Sequence, residues 1–120
     1  MERHRDPAAL LPLTQAMFHV LVALAEVDRQ GYAILKAVSE RTGGDVELST
    51  GTLYTMIKRL LADGIVVESR RRPAAADDDE RRKYYRLTDF GRQVLAAESA
   101  RLQSMVAAAR AVGVLKKASS

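Results

Sequence analysis

The sequence predicts a mainly α protein with a small β-hairpin, arranged as a winged helix-turn-helix followed by a long C-terminal helix. Three observations predict it. Apolar residues recur at helical spacing in three successive segments before Gly64. The period then shortens to that of a strand in two runs, Ile65 to Arg70 and Lys83 to Leu87, separated by a charged stretch. Helical periodicity returns at Thr88 and continues to about Val112.

Each element follows from its own signals. Met1 to Pro12 carries Arg3, His4, Arg5 and two prolines and is expected to be a flexible arm. Thr14 caps a first helix whose apolar positions are Met17, Val20, Leu21 and Leu24. Phe18, Val22 and Ala25 form a second stripe, so this helix has two surfaces to cover. After Gln30-Gly31 a second helix places Tyr32, Ile34, Leu35 and Val38 on its apolar face and stops at Thr42-Gly43-Gly44. Ser49 caps a third helix running to Asp63, with Gly64 as its left-handed terminator and Leu53, Ile57, Leu60 and Leu61 as its buried face. Thr88 caps the last helix. The expected division is an arm (1–12), a winged helix-turn-helix (13–87), a dimerisation helix (88–113) and a tail (114–120).

Composition excludes several classes. The chain has 120 residues, 48% of them hydrophobic, which suits one domain with a modest core that association would help. It has no cysteine, so disulfide frameworks and cysteine-ligated zinc are ruled out, and a reducing cytoplasm is the expected location. No apolar run reaches the ~20 residues a membrane span needs. The stretch from Ala16 to Ala25 is interrupted by His19 and reads as a core helix and not a signal peptide.

No catalytic set can be assembled. His4 lies in the arm, His19 on an apolar helix, and neither a phosphate loop nor a paired-histidine zinc motif is present. Asp77, Asp78, Asp79 and Glu80 are consecutive. Calcium loops alternate their ligands and turn at a glycine, so no metal site and no cofactor are expected.

The charge is informative. The net charge is +4, from 19 basic and 15 acidic residues. Residues 70–86 hold seven cations (Arg70, Arg71, Arg72, Arg81, Arg82, Lys83 and Arg86) and four acids. The third helix adds Lys58 and Arg59 against Asp63, and the rest of the chain balances at ten of each sign. An excess confined to one helix and the adjoining hairpin points to a polyanion. The plainer reading is a solvated charged loop. With Leu53, Ile57, Leu60 and Leu61 inward, the wheel turns Gly51, Thr55, Lys58 and Ala62 outward, with Tyr54 and Arg59 on the flanks. Small residues, hydroxyls and two cations suit a helix lying in a DNA major groove.

Three runs are also familiar in order and spacing: GYAILKAVSERTGG, LSTGTLYTMIKRLLADGIV and ERRKYYRLTDFGRQVL. Together they resemble the PadR family of transcriptional regulators over about residues 13 to 110. The resemblance implies a homodimeric winged-helix repressor that binds a palindromic operator in double-stranded DNA, in a prokaryotic cytoplasm and on the nucleoid when bound. By position it implies DNA contacts from Ser49, Thr50, Thr52, Tyr54, Thr55, Lys58 and Arg59, joined by the hairpin cations Arg70, Arg71, Arg72, Arg81, Arg82 and Lys83. This chain departs from many members at Thr50, where they carry proline. It also has room for a single C-terminal helix, as in the short subgroup.

Heptads written from Leu95 place Leu102, Met105, Ala109 and Val112 on one seam, with Glu98 as a misfit. A helix of this length spans ~37 Å at 1.5 Å per residue, more than one small domain can cover. The expected dimer interface therefore comprises Met17, Phe18 and Leu21 of the first helix with Leu95, Leu102, Met105, Val106, Ala109 and Val112 of the last. The short PadR-like proteins also imply a small hydrophobic effector between subunits, here against Leu13, Met17, Phe18, Met105 and Ala109; the alternative is a filled dimer core. The rival for the whole chain is a dimeric winged-helix interaction module that does not bind DNA, which would have no reason to concentrate charge on the third helix and hairpin. The acidic run is expected to stay in solvent or to pair with the neighbouring arginines, weakening non-specific binding.

Overall fold

Thr14 opens the helical part of the fold. Its hydroxyl accepts the Met17 amide at 3.0 Å, and a cap of this kind is worth about 1 kcal/mol. The computed structural model describes residues 5–69 and 83–116. The elements are a 3-10 turn (Pro7–Leu10), α1 (Gln15–Glu26), β1 (Arg29–Gln30), α2 (Gly31–Arg41), α3 (Thr50–Ala62), β2 (Val66–Glu68), β3 (Tyr84–Leu87) and α4 (Asp89–Ala111). The expected mainly α fold with a hairpin is present, with one strand more than the sequence pattern shows. β1 has two residues, too few for any alternation, and it is a strand because β3 offers it an edge.

The sheet is antiparallel in the order β1-β3-β2, with Arg29 opposite Tyr85 and Val66 opposite Leu87. Alternation along β3 sends Tyr85 and Leu87 inward and leaves Arg86 exposed, as the sequence pattern predicts. One core gathers Val20, Leu21 and Leu24 from α1, Ile34 and Val38 from α2, Leu53, Ile57 and Leu60 from α3, Ile65, Val66, Tyr85 and Leu87 from the sheet and its approach, and Val94 from α4. Three expectations are corrected here. Leu21 is fully buried within this core and has no surface for a second subunit. Leu61 is 39% exposed and Tyr32 73% exposed, because each falls beyond the arc of its helix that the core covers.

The turn between α3 and β2 is closed twice. Gly64, at φ +74°, takes the left-handed position; its amide donates to the Leu61 carbonyl and that of Ile65 to the Leu60 carbonyl. The hydroxyl of Thr88 then donates to the carbonyls of Gly64 and Ile65 while accepting the Gly91 amide as the cap of α4. Gly91 makes this docking feasible, since a β-carbon there would stand 2.2 Å from the Ile65 carbonyl oxygen.

The N-terminal segment, expected as a flexible arm, packs onto the fold from Arg5 onward. Leu10, Leu11 and Leu13 pack against the core. The Leu13 amide donates to Glu98 Oε2 at 2.8 Å. Glu98, the heptad misfit, is 1% exposed and held by Arg101, whose Nε and Nη2 donate to its two oxygens at 2.5 and 3.0 Å. That arrangement holds the carboxyl below its ordinary value of 4.5: the Arg101 hydrogen bond is the main cause and the Leu13 amide a smaller one, against the opposing pull of burial.

Candidate nucleic-acid interface

Ser49 sets the start of α3. Its oxygen accepts the Thr52 amide at 3.1 Å and its hydroxyl bonds the Thr52 hydroxyl at 2.9 Å. Leu53, Ile57 and Leu60 turn inward, so the 3.6-residue period carries Ser49, Thr50, Gly51, Thr52, Thr55, Lys58 and Arg59 outward, and all seven are exposed. Among the described residues neither Lys58 nor Arg59 has a salt-bridge partner. A cleft of about 640 Å³ separates this face from the start of α1 and is lined by Thr14, Met17, Thr52, Thr55, Met56 and Arg59. A second cleft on the other flank runs between Tyr54, Lys58 and Tyr85. The exposed face of α3 is thus flanked by a shallow cleft on each side, and its side chains are open to solvent.

Tyr54 differs from the other sequence candidates. It is half-buried, and its hydroxyl end lies against Gly31 at the start of α2. Its contact with Gly31 ties α3 to the start of α2. Lys83 sits at the foot of β3 with its ammonium 3.3 Å from Glu68 Oε2, so its charge is partly engaged within the sheet. Arg70, Arg71, Arg72, Arg81 and Arg82, with the acidic run Asp77 to Glu80, lie outside the described residues. Two exposed residues near this region are not among the sequence candidates. Arg86 projects from the outer face of β3, where the alternation itself is the signal. Tyr32 occupies the first turn of α2, directly after the glycine that Tyr54 touches.

The candidate interface between subunits divides into two groups. Met17 and Leu95, like Leu21, pack against the protein's own core. Phe18, Leu102 and Ala109 are half-buried, whereas Met105, Val106 and Val112 are exposed, Met105 by 53% and Val112 by 74%. Among the described residues no cluster of three or more His, Asp or Glu side chains could hold a metal, and no helix is long and apolar enough to cross a membrane.

Solved structures share this architecture. A PadR family transcription regulator from Clostridium difficile R20291 superposes with a TM-score of 0.66 at 25% identity, covering 81% of this chain and 96% of its own. A transcriptional regulator described as putative, TA0346 from Thermoplasma acidophilum, gives 0.62 at 23%, covering 87% and 93%. Bacillus subtilis PadR, solved in complex with operator DNA, gives 0.59 at 24%; the match spans 72% of this chain and 46% of that one. Comparison with curated proteins gives no match. The model of the transcriptional regulator PadR-like family matches residues 20–97, well over half of the sequence, and the chain belongs to that family.

Proposed function

We propose that the protein is a homodimeric repressor that recognises a palindromic operator in double-stranded DNA by laying α3 in the major groove. As a member of a family of transcriptional regulators, it is not an enzyme. One observation carries the reading: Ser49 to Arg59 present hydroxyls, a glycine and two cations that have no salt-bridge partner among the described residues, on one exposed face. Hydroxyls and free amides at the start of α3 can bond phosphate, and Lys58 and Arg59 can reach phosphate or guanine edges. Bacillus subtilis PadR, which shares the fold, was solved in complex with operator DNA, the class of partner this reading assigns.

The dimer supplies the second half-site. Met105, Val106 and Val112 leave apolar surface in water on the far half of α4, and a second copy of that helix covers it. Two-fold pairing would set two α3 helices about 34–36 Å apart, one turn of duplex. Release by a small hydrophobic effector between the subunits belongs to the same proposal and rests on the likeness to the short PadR-like proteins.

Gel shift with the DNA upstream of the protein's own gene tests the reading. Lys58→Ala and Arg59→Ala should each weaken the specific shift, and each lost phosphate contact should reduce the slope of log affinity against log salt by about 0.9. Equal, feeble binding to every duplex, unaltered by either substitution, would leave the interaction-module reading in its place.

A further inference from the structure

The C-terminal end of α3 is held by a residue far away in sequence. Hydrogen bonds within the turn occupy the carbonyls of Leu60 and Leu61, and the carbonyl of the cap residue Asp63 accepts a hydrogen bond from the guanidinium of Arg5. That guanidinium lies along the turn, with its nitrogens 3.4 and 3.6 Å from where a β-carbon on Gly64 would stand. Its other contact is the ring of Phe90, in the first turn of α4, with 4.0 Å from the guanidinium carbon to the ring centroid. A planar cation suits both contacts: it stacks on the aromatic face, and it meets the negative end of a helix dipole. The same segment is tied again eight residues on, where the Leu13 amide donates to the buried Glu98 of α4.

We propose that residues 5–13 form a strap that sets the angle between α3 and α4, with Arg5 as its positioning residue. The strap touches the end of the reading helix opposite its DNA-facing N-terminus, so it acts on recognition through geometry and not through contact. In a dimer joined through α4, the α3–α4 angle determines how far apart two reading helices stand and how they are turned. Arg5 then controls which half-site spacing the protein accepts. This inference rests on the DNA-binding reading, and its test separates the two.

Duplexes are first selected from a random pool by the full-length protein, and each is rebuilt with one base pair added or removed between half-sites, a change of about 3.4 Å along the axis. The wild type should prefer the selected spacing by roughly tenfold, taking the cost of one mismatched base pair as the scale. Arg5→Ala should keep the dimer and its helical content while spacing preference collapses to less than about twofold, because a loosened angle tolerates both registers. Arg5→Lys, which keeps the charge and loses the planar fork, should fall between them. Amide exchange in peptides covering 56–66 should be at least about fivefold faster in Arg5→Ala, as local opening no longer meets the strap. Wild-type spacing ratios and exchange in both variants overturn the inference. If the wild type selects no duplex, the DNA reading fails, and the exchange result alone decides whether Arg5 holds α3 to α4.

Discussion

The phenol of Tyr54 lies so close to Gly31 that a β-carbon on the glycine would stand 2.3 Å from the hydroxyl oxygen and 2.8 Å from the ring carbon that bears it. The contact sets how near α3 approaches the start of α2. Gly31→Ala should destabilise the fold by about 1 kcal/mol, the low end of the overpacking range, because the atom it meets is the tip of a half-buried side chain that can shift. Tyr54→Leu, which removes the phenol tip, should recover part of that loss, so that the double variant is more stable than the sum of the two single effects. Urea unfolding of the four proteins measures it; strict additivity would show that the two residues do not press on each other.

Two other glycines make an opposed pair. A β-carbon on Gly91 meets a backbone oxygen that cannot rotate away, whereas one on Gly51 meets nothing within 4 Å. Gly91→Ala should therefore cost about 1–3 kcal/mol or more by prising α4 off the α3–β2 turn. Gly51→Ala, in the first turn of α3, should leave stability unchanged or slightly raised while lowering affinity for selected DNA, because its methyl group would stand in the space that the proposed groove contact needs. Thermal unfolding read beside gel shift checks both; unchanged DNA affinity in Gly51→Ala removes that residue from the interface.

The Glu98 carboxyl should give the attachment of the arm an acid limb. Its value in the folded protein is lowered by Arg101 first and Leu13 second. Its stabilising contribution is thus complete above the ordinary carboxylate value and fades as pH falls through the lower, folded value. Glu98→Gln should remove that dependence and leave the Leu13 amide less protected at neutral pH. Proton exchange of the Leu13 amide between pH 7 and pH 3 is the direct measurement; identical profiles in the two proteins would show the pair to be incidental.

The far half of α4 offers a test of the proposed dimer. Met105→Glu with Val112→Glu should shift the equilibrium toward monomer in analytical ultracentrifugation, since a buried, unpaired carboxylate opposes association. The wing domain's own unfolding should change little, because neither side chain belongs to its core. A dimer that survives both substitutions places the interface elsewhere.

The acidic run Asp77 to Glu80 should repel phosphate. Asp77→Asn, Asp78→Asn and Asp79→Asn together should tighten binding to random duplex at low salt, where charge repulsion from phosphate is least screened. Unchanged affinity at low salt would make the run a solubilising loop only.

Much of this protein is legible along the chain. Thr14, Ser49 and Thr88 announce three helices because a hydroxyl at that position satisfies amides only a few residues ahead. The outward arc of α3 follows from the inward one, since a 3.6-residue period leaves no freedom once Leu53, Ile57 and Leu60 are buried. Burial at the margins is less legible: Leu61 and Tyr32 have apolar character, but their exposure depends on where neighbouring elements stop. β1 was invisible for a related reason, being a strand only by virtue of its partner.

Sequence by itself determined the helices, their caps, the paired strands, the placement of basic charge along the chain and the family, because each rests on short-range periodicity, local hydrogen bonding or charge count. Only the tertiary structure decided that Leu21 lies wholly within the protein's own core, that Glu98 anchors the N-terminal segment in place of breaking a heptad, and that Arg5 joins the ends of α3 and α4. Those relations connect residues 58 and 85 positions apart. No periodic signal reaches that far, since such contacts exist only once the chain has closed its core.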